Sequence, residues 1–137
     1  MTVASRRHRG RELALRVLFE LEGTEKDSEE ALRYQATDMG AAADVGAFGR
    51  ELVLGCLDHA DAIDSVIAGA SENWALADLG KVERAVLRLG TFELLWGQGV
   101  PVAVVIDEAV ELSKAYAGGE AAAFVNGVLG RVARQQV

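Results

Sequence analysis

Apolar residues recur at every third or fourth position along nearly the whole of this chain, and no convincing apolar–polar alternation marks a strand. A period near 3.6 gathers those residues on one stripe of a helix, so the chain can bury them only by packing helix on helix. The spacing predicts a first helix from about His8 to Glu22, with Ala14, Val17, Leu18 and Leu21 on one face and Arg9, Arg16 and Glu20 opposite. Gly23-Thr24 ends it. Ser28, followed by Glu29 and Glu30, is a good N-cap with acidic first-turn residues, and a short second helix runs to about Asp38. The segment "MGAAADVG" reads as a loop or a weak helix start.

From about Asp44 to Ala68 the series Phe48, Leu52, Cys56, Ile63 and Ile67 keeps a helical period, which one long helix or two would satisfy. "GASENW", Gly69 to Trp74, is the best internal boundary, with Ser71 placed to cap a short turn ending near Gly80. A further helix spans Lys81 to Trp96, with Val82, Ala85, Val86 and Leu89 on one stripe. Pro101, the only proline, suits the first turn of the next helix, where its missing N–H would be unpaired in any case. That helix buries Val102, Val105, Ile106, Ala109 and Leu112 and ends at Gly118-Gly119. A last one, from about Glu120 to Arg134, buries Phe124, Val125, Val128, Leu129 and Val132. The expected fold is all-α: about seven helices in two small three-helix-like bundles sharing one core, with subdomains 1–70 and 71–137.

A chain of 137 residues, 50% apolar and 26% charged, is one ordinary globular domain that needs neither disulfides nor a metal to hold its core. Its single cysteine, Cys56, has no partner for a disulfide or a zinc site, so a reducing cytoplasm is the default expectation. Arg16 and Glu20 interrupt the apolar run from Leu13 to Leu21, which rules against a signal peptide there, and no stretch is long and uncharged enough to cross a bilayer. The formal net charge is -7, which argues against nucleic-acid binding by the whole surface and leaves room for a local basic patch.

The chemistry-bearing residues give catalysis little support, and no catalytic residue, metal or cofactor is expected. "GAFGRELVLG" lacks the spacing and the lysine of a phosphate loop, His8 and His59 are isolated, and Asp107-Glu108 point to different faces. The N-terminal run is more informative. Arg6, Arg7, His8, Arg9 and Arg11, with Arg16 further on, form a positive arm leading into the first helix, and Phe19 borders its charged and apolar faces. Arginine forks onto phosphate and stacks on bases, and arginine-rich arms often order only on RNA. A solvated, frayed terminus with Phe19 in the core is the blander account, and both stand. Glu93 falls on the buried face of its helix and needs donors, either an arginine or the amides of a helix N-terminus such as that opened by Pro101. Lys81, Arg84 and Arg88 form a second basic ridge, either a solvated face or a surface for a protein.

Taken in order, "RRHRGRELALRVLFELE" (Arg6 to Glu22), "ENWALADLGKVERAVLRLGTFELL" (Glu72 to Leu95), "VPVAVVIDEAVELSKAYAG" (Val100 to Gly118) and "FVNGVLGRVA" (Phe124 to Ala133) resemble the NusB family of bacterial transcription antitermination factors. The resemblance runs essentially end to end and is weakest between Gly23 and Ala43. It implies an all-helical protein that binds single-stranded boxA RNA of ribosomal RNA leader transcripts. Such proteins act with the tenth small-subunit ribosomal protein, NusE, and load onto the RNA polymerase antitermination complex. By matching position, Arg7, Arg9 and Arg11 would hold RNA, Glu120 and Phe124 would lie on the RNA-proximal edge, and Glu83, with Lys81, Arg84 and Arg88, would face the ribosomal protein. Relatives occur as monomers and as homodimers, so either state fits.

Two departures shift weight onto the N-terminal arm. Many relatives carry tyrosine and lysine where this chain has Val102 and Ala103, and polar or basic residues where it has Ala122 and Ala123. A helical protein-binding scaffold without RNA recognition is the alternative from another class. The RNA-binding module of rRNA cytosine methyltransferases shares the fold, but a chain stopping at Val137 leaves no room for a methyl-donor domain.

Overall fold

The computed structural model describes residues 2–71 and 75–135, and among them it has seven α-helices and no strand. These are α1 (Val3–Leu21), α2 (Ser28–Met39), α3 (Ala43–Asp58), α4 (Ala60–Ala70), α5 (Lys81–Trp96), α6 (Val102–Tyr116) and α7 (Gly119–Gln135), with a single 3-10 turn, Leu76–Asp78, before α5. The "ENW" of the expected boundary lies outside the described residues. No described helix is long and apolar enough to cross a membrane.

Local chemistry sets the helix ends. Thr2 accepts a 3.0 Å hydrogen bond from the Ser5 amide, so α1 begins five residues before the predicted His8 and takes the whole arginine run into its first turns. The arm is therefore helical. At α2 the cap is Asp27, one residue before the predicted Ser28, and its carboxylate accepts from the Glu30 amide at 3.1 Å. Gly40, at φ 61, closes α2 in the left-handed conformation that glycine adopts without penalty. The long apolar series breaks at His59 into two helices. At the start of α5 the Glu83 carboxylate accepts from the Gly80 amide at 3.0 Å, the half of a capping box that a glycine cap allows. Pro101 is the residue before α6, and Val102, predicted to be buried, is 50% exposed because it starts the first turn.

The chain divides into two compact units, residues 1–55 and 56–137. The division falls earlier than the boundary predicted between residues 70 and 71, because Ile63, Ile67 and Ala70 are buried on α4, which packs with α5 and α7. In the first unit α2 packs on α1, and Leu13, Val17, Leu32, Leu52 and Val53 are buried. In the second, α6 packs on α5 and α7, enclosing Val86, Leu89, Val105, Leu112, Val125 and Leu129. Each such side chain removed from water contributes about 1.5–3 kcal/mol before chain entropy is counted. The half-buried Arg131 donates through Nη1 at 2.7 Å to the carbonyl of Ala70, satisfying the last turn of α4.

Glycines permit a close approach of α1 and α3 in the first unit. A Cβ on Gly10 of α1 would stand 2.6 Å from the Phe48 ring of α3, and one on Gly49 would stand 2.7 Å from Leu13 Cδ2 and 3.1 Å from the Gly10 carbonyl oxygen. Alanine at position 49 gains up to about 1 kcal/mol of helix propensity, against about 1–3 kcal/mol for overpacking where one neighbour is backbone. Gly49→Ala is therefore expected to lower stability, read as a reduced midpoint in chemical denaturation.

Candidate nucleic-acid interface

The arginine run lies along the first turns of α1, and its members meet different surroundings. Arg9 spans outward from α1, its Nη1 on Glu12 at 2.9 Å and its Nη2 donating at 2.8 Å to the carbonyl of Met39, the last residue of α2. A cation on the carbonyl end of a helix is favourable for charge and hydrogen bonding alike. Arg16 reaches Asp38 of α2 at 3.4 Å and Glu12 at 3.9 Å. Both therefore tie α1 to α2. Arg6 pairs through Nε with Asp44, in the first turn of α3, at 3.3 Å. This pair is exposed and adds little to stability, yet it halves the local positive charge.

Arg7 and Arg11 share one ring. The Arg7 guanidinium carbon lies 4.7 Å from the centroid of Phe48 and that of Arg11 lies 5.4 Å from it. Arg11 is only 3% exposed, so the structure moves it from the surface where RNA was expected to meet it into the interior of the first unit. Arg7 stays exposed, and among the described residues its partner is the Phe48 ring and no carboxylate. Arg6, Arg7, Asp44, Phe48 and Val3 line an open cleft of about 280 Å³. That is at the lower limit for enclosing a small ligand, and the cleft suits one group of a larger molecule. Phe19, 41% exposed, is twelve residues further along α1, roughly 18 Å along the helix axis, and lies outside the cleft.

The remaining predicted residues belong to the second unit. Glu120 is exposed in the first turn of α7 and Phe124, one turn on, is half-buried, where the periodicity had placed it in the core. Ala122 is buried and Ala123 exposed. The basic ridge of α5 is largely engaged within the unit. Arg84 donates to the Leu79 carbonyl, and Arg88 forks onto Asp64 of α4 at 2.9 and 3.2 Å. Glu83 holds the Gly80 amide, and Lys81 and Glu83 are half-buried. Asp64 is a partner that sequence reading missed, as is Phe48. Phe48 was legible as an apolar position, but its two cationic neighbours come from a different helix.

Comparison with known proteins shows the family to which the chain belongs. The NusB family model matches residues 8–134. A transcription antitermination protein NusB from Exiguobacterium sp. is 42% identical over 130 residues, covering 95% of this chain and 98% of that protein. The structure of T. maritima NusB superposes with a TM-score of 0.87 at 35% identity, covering 94% of this chain and 91% of that one. A crystal structure of antitermination factors NusB and NusE in complex with double-stranded RNA gives a TM-score of 0.88 at 29% identity, covering 96% and 98%.

Cys56, whose titration the fold perturbs, has surroundings unsuited to nucleophilic chemistry. Burial, followed by the nearby Glu93 carboxylate, pushes the Cys56 thiol up to about 12, with Arg88 opposing weakly. Glu93 is itself buried, 6% exposed, as its place on the helix wheel predicted. Among the described residues no group of three or more His, Cys, Asp or Glu side chains is arranged to hold a metal ion. Because the folded thiol titrates above its ordinary value of 9.0, its contribution to stability is whole below pH 9 and is lost as pH rises towards 12. At neutral pH the native protein is expected to resist a thiol reagent such as a disulfide chromophore, with one equivalent reacting after denaturation. Rapid labelling of the native state would contradict this.

Proposed function

The chain belongs to the NusB family, and on that premise we propose that it is a transcription antitermination factor. In this reading it binds boxA RNA of ribosomal leader transcripts through the N-terminal turns of α1, together with ribosomal protein NusE. The pair joins the RNA polymerase antitermination complex in the cytoplasm, and the protein acts by binding, not by catalysis. The observation that carries the reading is the exposed Arg7 lining a cleft, in a molecule of net charge -7.

Charge explains why a partner is required. Carboxylates meet three of the arginines: Asp44 meets Arg6, Glu12 meets Arg9, and Glu12 and Asp38 meet Arg16. The cationic tip therefore offers few phosphate contacts. Each contact to single-stranded RNA contributes roughly -0.7 to the slope of log affinity against log salt, so a few contacts alone bind weakly at cellular ionic strength. A second surface, supplied by NusE, raises the effective concentration of RNA at the tip.

The reading is tested by titrating single-stranded and duplex boxA-like RNA with and without NusE at several salt concentrations. Adding NusE is expected to tighten binding. Arg7→Ala should weaken it and make the salt slope shallower by about 0.7, the value of one lost contact. Unchanged affinity in an Arg6→Ala, Arg7→Ala double variant would show that RNA enters elsewhere. Arg9→Ala is expected to lower thermal stability, because it removes the tie to the end of α2.

A further inference from the structure

We propose that Phe48 of α3 is the positioning residue for RNA contact: its ring holds the Arg7 guanidinium beside the cleft that both residues line, so that Arg7 meets a phosphate without first being ordered. This rests on the reading that RNA is bound at the N-terminal turns of α1. The observations are geometric. Phe48 carries Arg7 at 4.7 Å and the buried Arg11 at 5.4 Å, both within the 6 Å over which a guanidinium is attracted to a ring face. Gly10, whose Cβ would meet the ring at 2.6 Å, leaves the space Phe48 occupies. Asp44 draws Arg6 aside at 3.3 Å, so within the cleft Arg7 is the cation that no carboxylate meets.

A solvated arginine gives up roughly 2 kcal/mol of rotamer freedom on being fixed. A ring that already limits that freedom in the unbound protein leaves less to be lost on binding, and the ligand gains the difference. Phe48 carries no charge, so it changes the strength of the Arg7 contact without changing the number of counterions released. That separates positioning from charge.

The experiment measures boxA-like RNA affinity in the presence of NusE, across salt concentrations, for the unmodified protein, Arg7→Ala, Phe48→Leu, Phe48→Tyr and the Arg7→Ala, Phe48→Leu double variant. Phe48→Leu is expected to weaken binding by about fivefold, the equivalent of an exposed cation–π contact, at an unchanged salt slope. Phe48→Tyr, which keeps the ring, should bind as the unmodified protein does. In the Arg7→Ala background the leucine change should cost nothing further, since a double-variant cycle couples only groups that act together. Equal losses in both backgrounds, or undiminished binding by Phe48→Leu, would overturn the proposal. If Arg7→Ala itself binds normally, the failure lies with the RNA site and not with Phe48. Should the leucine variant not fold, the unmodified protein decides the question by NMR. The Arg7 side-chain and Phe48 ring resonances should shift together as RNA is added, and a shift of Arg7 with a still Phe48 ring would overturn the proposal.

Discussion

The near approach of α1 to α3 at Gly10 and Gly49 is the constraint on which the first unit depends. With no Cβ at either position, Phe48 and Leu13 lie close against the opposing helix. The ring of Phe48 then lies beneath two arginines of α1, one exposed and one buried. A helix carrying five arginines between residues 6 and 16 would repel itself in isolation. Here the charges are separated by assignment. Arg9 and Arg16 face α2, Arg6 faces the start of α3, and Arg11 turns inward. The proposed interface is what that distribution leaves outward.

The second unit follows a different logic. Its helices α4 to α7 bury a continuous apolar set, and several of its charged residues fasten helix ends and neighbouring helices: Glu83 at the start of α5, Arg131 at the end of α4, Arg88 between α5 and α4. A basic ridge read from a helical wheel takes no account of such ties. An arginine that forks onto a carboxylate has lost most of its field at distance, whatever its position on the wheel.

Where sequence and structure agree, a local signal was strong. The bounds of α5 follow from a long apolar stripe between Gly80 and Gly97, and the burial of Glu93 follows from its register. Where they differ, the deciding contact was short and polar or came from elsewhere in the fold. The Thr2–Ser5 cap precedes any apolar residue of the stripe, so the helical state of the arginines had only that pair to announce it. The break at His59 leaves the apolar period intact on both sides, and periodicity cannot register it. Arg11 looked like its neighbours because nothing in the run says which turn faces Phe48. The family resemblance supplied the RNA and its companion protein; it did not supply the ring.

If RNA is bound at this tip, as proposed, the carboxylate of Asp44, set beside Arg6, has a consequence for choice among transcripts. A cell is full of polyanions, and a tip with every guanidinium unopposed would adhere to most of them indiscriminately. An acid built into the tip keeps its solitary grip feeble. Lasting occupancy then demands that two handholds be satisfied at once, one here and one on an associated subunit, and discrimination arises from their coincidence.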